Sequence, residues 1–104
     1  MYHYTVRCEF PDTDGDLMKR WVSWLVDSHL QDVLNAGATN ARILQMRSDV
    51  PVLEVRYEFE SQKTFLDYEA NHAPRLREEG LEKFPSEELG MKFSRSDGLV
   101  FYTA

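Results

Sequence analysis

The sequence predicts an α+β fold, because one strand–helix–strand pattern occurs twice along the chain. Segments that alternate between polar and apolar residues flank longer segments with helical spacing. In chain order the segments are a strand at Tyr2–Phe10, a helix at Asp14–Ala36, strands at Ala38–Met46 and Val52–Glu60, a helix at Ser61–Phe84 and a strand at Met91–Tyr102. A chain of 104 residues buries two such helices most simply on one face of a four-stranded antiparallel sheet. We therefore expect a single ferredoxin-like βαββαβ domain spanning residues 1–104.

The first strand is predicted by strict alternation of side chains. One face carries Tyr2, Tyr4, Val6, Cys8 and Phe10. The other face carries His3, Thr5, Arg7 and Glu9. Burial contributes roughly 1.5–3 kcal/mol for each large apolar side chain, so the first set is expected to contact the helices. Pro11 then ends the strand, and residues 12–16 form a turn that is rich in helix-capping side chains.

The first helix is indicated by a stripe at helical spacing, which comprises Leu17, Trp21, Trp24, Leu25 and Ser28. We expect a kink near Ser28–His29, after which the helix continues through Leu30, Val33 and Leu34. Gly37 is a natural stop, because glycine readily adopts the left-handed backbone that ends helices.

The second half of the chain has its own signals for the starts and ends of strands and helices. The strand at 52–60 places on one face Leu53, Val55, Tyr57 and Phe59. Ser61 is expected to cap the second helix, whose stripe comprises Phe65, Tyr68 and His72. Pro74 is expected to open a second helical piece in which the buried residues are Leu76, Leu81 and Phe84. The last strand is interrupted at 96–98, which predicts either a bulge or a tight turn.

One face of the predicted sheet stays uncovered by helices. In the ferredoxin-like order the first and third strands are central neighbours, so this face combines the polar residues of the first strand with Glu54, Arg56 and Glu58. The interleaved charges are expected to pair across strands. Two such faces can pack into a dimeric α+β barrel lined by ion pairs and water, so a homodimer is predicted. An RNA-binding use of this face is disfavoured, because Tyr57 and Phe59 point toward the helices.

Composition and charge restrict the partners and the compartment. The formal net charge is −6, which disfavours binding to nucleic acid or to anionic membranes. Cys8 is the only cysteine, so an internal disulfide is excluded, and we expect a small buried thiol in a reducing compartment. The chain begins directly with a strand pattern and has no apolar run of membrane-spanning length, which predicts a cytoplasmic protein.

Three stretches resemble a known family: Trp21–Leu25, His29–Leu34 with Gly37, and Asn71–Arg77. They are similar to a family of small bacterial proteins known only as a domain of unknown function (family 4286), and the resemblance covers nearly the whole chain. That family is similar to the dimeric α+β barrel superfamily, which implies a ferredoxin-like protomer and a homodimer. The superfamily includes cofactor-free monooxygenases, haem-degrading enzymes and lactone isomerases that share no common catalytic set. The resemblance therefore implies no catalytic role for any single residue.

Few side chains are suited to chemistry. His29 and His72 are the catalytic candidates, because imidazole exchanges protons near neutral pH; the alternative is that each bonds the backbone between two helical pieces. The candidate ligand-binding residues are Trp24, Tyr57, Tyr68 and Arg75. For the aromatic residues the alternative is core packing. Arg75 and its neighbour Arg77 suit a carboxylate or phosphate, and the alternative is a solvated face of mixed charge.

The sequence thus predicts a homodimer with a small-molecule pocket between helices and sheet. One alternative is a cofactor-free monooxygenase or isomerase that acts on a small aromatic or polyketide-like compound. Another alternative is a non-catalytic binding or interaction module. The sequence contains no phosphate-binding glycine loop, zinc-type spacing or nucleophile motif, so neither a cofactor nor a metal is expected.

Overall fold

The computed structural model describes residues 1–12 and 14–104. Its strands are β1 (Tyr2–Glu9), β2 (Asn40–Met46), β3 (Val52–Phe59) and β4 (Lys92–Leu99). Its α-helices are α1 (Asp16–Trp24), α2 (Leu30–Asn35), α3 (Gln62–Asn71), α4 (Ala73–Lys83) and the short α5 (Ser86–Leu89). A π-helical segment, Leu25–His29, joins α1 to α2. Most boundaries agree with the predicted ones to within a residue or two, because alternation and capping residues define them locally.

The strands form one antiparallel sheet in the order β2–β3–β1–β4. In the central pair Tyr4 lies opposite Tyr57, and on the other side of β1 Val6 lies opposite Arg95. Directly opposed residues share a face, so the tyrosine side chains lie together and Arg95 is on the face that carries Val6. This arrangement confirms the predicted ferredoxin-like α+β fold.

Strand β4 runs without interruption, so the predicted bulge or turn at 96–98 is wrong. Asp97 and Gly98 continue the register opposite Tyr4 and His3. Pairing along the whole of β1 outweighs the turn preference of these small polar residues. The strand lies at the edge of the sheet, and the space beside Gly98 is open, since apart from its chain neighbours no described atom lies within 4 Å of the place a Cβ would take.

The first helix widens where a kink was predicted. The N–H of Leu30 donates to the carbonyl of Leu25, five residues earlier, and both residues keep right-handed helical dihedral angles. This is the hydrogen-bond pattern of a π-helix. The wider turn rotates Ser28 outward, where its Oγ donates to the carbonyl of Trp24 at 3.3 Å. The predicted place of Ser28 on the buried stripe is therefore wrong, because it is exposed.

The second helix breaks at His72, whose backbone (φ −126°, ψ −40°) leaves the helical region. Ser61 caps α3 as predicted, because its Oγ accepts a hydrogen bond from the N–H of Thr64 at 3.2 Å. Pro74 lies in the first turn of α4, also as predicted. At that position the missing N–H has no intrahelical partner to lose.

Helix α4 buries a narrower face than predicted. Ala73 and Leu76 are fully buried, but Leu81 is 53% exposed, so its predicted burial is wrong. The buried face continues through Gly80, which is four residues after Leu76. Leu81 is the next residue along the helix, so its side chain points to solvent. A Cβ at Gly80 would lie only 3.2 Å from the Trp24 ring, so this glycine allows the indole to pack directly on the backbone of α4.

The core lies between the helices and the inner face of the sheet. Phe65 of α3 is at its centre, with ring-centroid distances of 5.3 Å to Tyr2, 5.0 Å to Tyr4 and 5.4 Å to Phe59. Cys8 is fully buried, as predicted. Tilted and edge-to-face aromatic pairs at these distances add to the stabilisation that burial provides.

The outer face of the sheet carries the predicted ion pairs. Glu54 accepts from Arg7 at 3.0 Å and from Arg56 at 2.8 Å. Both hydrogen bonds lower the pKa of the Glu54 carboxyl, and the bond from Arg56 has the larger effect. Glu58 lies within 3.5 Å of Arg42 on the next strand. The charges of this face are thus largely matched within one chain.

Candidate functional site

A cavity of about 380 Å³ lies between the inner face of the sheet and the helices. Its floor is formed by β1 and β3, including Val6 and Tyr57, and its walls include Trp24 and Leu76. Such a volume lies within the usual range for small-molecule sites. Arg95 of the edge strand also lines the cavity and is exposed, so this side is the mouth.

The π-helical segment brings Trp24 and His29 together. A π-helix bonds each residue to the fifth preceding one, so residues five apart come onto one face. The two rings stack with centroids 4.5 Å apart and planes inclined by 23°. Both rings line the cavity. In a regular α-helix the same two residues would point in different directions.

The His29 imidazole is held in its neutral form. Burial lowers its pKa from the ordinary 6.5, Arg95 lowers it further, and Asp32 partly opposes these effects. Its Nδ1 is buried and has no hydrogen-bond partner within residues 1–12 and 14–104. A neutral imidazole with a free nitrogen can exchange a proton or a hydrogen bond with a bound molecule.

Arg77 and a group of tyrosines form the polar part of the cavity. The Nη2 of Arg77 donates to the Tyr4 hydroxyl at 3.2 Å, while its Nε is buried without a partner in the part of the chain that is described. Burial raises the pKa of Tyr68 to about 12, and it raises the pKa of Tyr57 by more. Both phenols therefore keep their protons at neutral pH and remain hydrogen-bond donors.

Four of the six residues predicted as site residues line this cavity, namely His29, Trp24, Tyr57 and Tyr68. His72 is not among the lining residues. It lies at the break between α3 and α4, where its N–H donates to the carbonyl of Tyr68 at 2.9 Å. The two histidines therefore do not share one cleft, and the roles of all six residues stay predictions.

Arg75 also lies outside the cavity lining, and the geometry of α4 explains why. The helix begins at Ala73, so its inner face includes Arg77, four residues later, while Arg75 is exposed and lies 3.7 Å from Glu79. Arg95 was not anticipated as a site residue. The sequence signal for Arg95 is its position two residues after Phe93 on the same face of β4. The interruption expected at 96–98 obscured that signal.

Two negative observations apply to residues 1–12 and 14–104. No group of three or more histidine, cysteine, aspartate or glutamate side chains is placed to hold a metal ion there. None of the helices in these ranges is sufficiently long and apolar to cross a membrane.

Solved structures share this fold along the full chain. A dimeric ferredoxin-like protein from an uncultured marine organism has a TM-score of 0.69 at 20% identity, covering 99% of this chain and 97% of that one. A Deinococcus radiodurans protein assigned as an antibiotic biosynthesis monooxygenase has a TM-score of 0.68 at 8% identity, covering 100% and 96%. A MhuD variant with two manganese protoporphyrin IX molecules per active site has a TM-score of 0.67 at 12% identity, covering 100% and 98%. At these identities the similarity shows the fold alone.

Sequence comparison identifies the family. No curated protein matches this sequence. Residues 1–93 match the family described as a domain of unknown function, DUF4286. The match includes all three stretches on which the resemblance was based. The chain therefore belongs to the DUF4286 family.

Proposed function

We propose that this protein is a homodimer in which each chain binds a small, largely apolar molecule between its helices and sheet. The observation that carries the proposal is the cavity of about 380 Å³ with aromatic walls and the buried Nδ1 of His29. A cavity lowers stability, and a buried polar atom without a partner costs about 1–3 kcal/mol. A ligand that fills the space and bonds to the imidazole offsets both costs.

Flat ring systems suit this cavity best. Three aromatic residues, Trp24, Tyr57 and Tyr68, line it, and aromatic pairs prefer offset or edge-to-face packing. The volume suits a molecule of about two fused rings, since small-molecule sites commonly enclose about 300–1,000 Å³. The ligand class is therefore a small aromatic or polyketide-like compound.

Titration with the neutral bicyclic probe 2-naphthamide tests the proposal. We expect saturable changes in the ¹⁵N–¹H spectrum at the indole N–H of Trp24. Val6→Phe places a ring into the cavity from its floor and should weaken binding by at least about tenfold, as expected from the loss of packing area. Ile43→Phe is the matched control, because Ile43 is half-buried on β2 and does not line the cavity. Equal binding to both variants would place the probe elsewhere and contradict the proposal.

The open face of the sheet is the proposed dimer interface. Its ion pairs are already formed within one chain, and the Glu54 side chain is only 14% exposed before any partner is added. A face whose charges are matched in this way loses less on desolvation than one with free charges. The similarity to a dimeric ferredoxin-like protein supports self-association.

Proton transfer by His29 is a second candidate function, favoured by its neutral imidazole inside the cavity. Nδ1 or Nε2 takes a proton from a carbon next to a carbonyl, and the resulting enolate is reprotonated at another position. This is an isomerisation that needs no cofactor. With dioxygen as co-substrate, the same enolate stage begins a cofactor-free oxygenation.

Hydrogen–deuterium exchange of 2-tetralone tests this second candidate. We expect the protein to accelerate exchange at the acidic carbon in D₂O, as followed by ¹H NMR. The rate should rise with pH and reach half its maximum below pH 6.5, because the active base is neutral His29, whose pKa is lowered from 6.5. His29→Phe should abolish the acceleration while preserving a ring beside Trp24. His72→Phe tests the other predicted base, and a loss confined to that variant would contradict the role of His29.

A further inference from the structure

The two formally charged residues that line the cavity are both cationic, although the protein as a whole is acidic. The chain carries 18 acidic and 12 basic residues, a net charge of −6. The cavity lining nevertheless contains Arg77, Arg95 and His29 and, as far as the described residues show, no aspartate or glutamate. The cavity therefore has a positive potential within a chain whose net charge is negative.

The two cavity arginines also differ in their pairing from five of the six other arginines of the chain. Elsewhere in the described chain, ion pairs to carboxylates are formed by Arg7, Arg20, Arg42, Arg56 and Arg75. Within residues 1–12 and 14–104, neither Arg77 nor Arg95 has a carboxylate within 4.0 Å. Arg95 instead lies over the Phe93 ring, 5.6 Å from its centroid. Glu69 is exposed and acts on Arg77 only from beyond ion-pair distance.

We propose that the ligand is an aromatic carboxylate, with its anionic group bound by Arg77 inside the cavity. This inference rests on the proposed function, since it needs the cavity to be a ligand site. The buried Nε of Arg77 has a hydrogen to donate and no partner in the described chain. The Tyr4 hydroxyl already accepts from Arg77 at 3.2 Å, so its own hydrogen is free to donate to the same carboxylate.

Arg95 has a different part in this arrangement. It is exposed at the mouth, on the edge strand, and so it attracts an anion into the cavity without enclosing it. The rings of Tyr57 and Tyr68 then hold the apolar body of the ligand. Charge-assisted hydrogen bonds to a guanidinium are roughly twice as strong as neutral ones, which gives the anion its preference over a neutral isostere.

A matched pair of probes tests the inference: 2-naphthoate, ionised at neutral pH, and its neutral isostere 2-naphthamide. In ¹⁵N–¹H titrations we expect 2-naphthoate to bind the native protein about tenfold or more tightly than the amide, the effect of one charged hydrogen bond. Arg77→Gln should remove this preference, so that 2-naphthoate no longer binds more tightly than the amide. Arg77→Lys, which keeps the charge, should retain part of it and controls for folding. Arg47→Gln removes an exposed positive charge outside the cavity and should preserve the preference.

The possible results separate the two proposals. Equal affinity of the native protein for both probes would overturn the carboxylate inference and leave the cavity as a ligand site. Binding of neither probe would overturn the proposed function and the inference with it. Loss of the preference in Arg75→Gln, with retention in Arg77→Gln, would overturn the assignment of Arg77.

Discussion

Replacing Phe65 by alanine is expected to lower the free energy of unfolding by about 3–5 kcal/mol, the usual cost of removing a fully buried aromatic side chain. Phe65 is 1% exposed and packs against Tyr2, Tyr4, Phe59 and Tyr68. These rings come from β1, β3 and α3, so the substitution leaves a cavity between the sheet and a helix that cannot easily close. The loss is a large part of the total stability of a small domain.

Urea unfolding followed by circular dichroism measures this effect. Leu66→Ala is the matched control, because Leu66 follows in the same helix and is 49% exposed. We expect a change within about 0.5 kcal/mol there, as for most surface substitutions. Similar losses for the two variants would show that Phe65 is not the centre of the core.

Reversing the charge of Glu54 is expected to dissociate the proposed homodimer. Glu54 lies between Arg7 and Arg56, 3.0 Å and 2.8 Å away, on the face assigned to the interface. Glu54→Lys places three cations together on the proposed interface. Breaking a buried ion pair costs about 3–5 kcal/mol, so the dimer dissociation constant should rise roughly 100-fold or more.

Native mass spectrometry and sedimentation equilibrium check this prediction. The native protein should have a mass near twice the 12.2 kDa of one chain. Glu88→Lys makes the same charge change at an exposed residue of α5 and should leave the dimer intact. An unchanged dissociation constant for Glu54→Lys would place the interface on another surface.

The fold was predictable because its signals are local and repeated. Alternation defined β1 and β3, and Ser61 and Pro74 marked the starts of α3 and α4. The continuity of β4 was not predictable from its own residues, because Ser96–Gly98 resembles a turn and becomes a strand only through pairing with β1. Tertiary pairing commonly overrides local preference in this way.

The cavity was only partly predictable, for a geometric reason. Helical spacing placed Trp24 and Tyr68 on inner faces, where the structure also has them. The choice between Arg75 and Arg77 depends on the residue at which α4 restarts after His72, and a shift of two residues turns a side chain from solvent to cavity. Pro74 marks the start of α4 only to within a residue or two, and the π-helical turn has no sequence signal beyond the kink expected near Ser28–His29.

The π-helical turn accommodates one residue more between Trp24 and His29 than a regular helix would place there. Deletion of one residue within 25–28 would restore regular α-helix and leave the histidine four residues after the tryptophan. Residues four apart in an α-helix lie on the same face, so the two rings should remain neighbours after the deletion. The turn therefore absorbs an extra residue of chain while it keeps the stacked pair on the wall of the cavity. Replacement of either ring, rather than a change of length here, removes the pair.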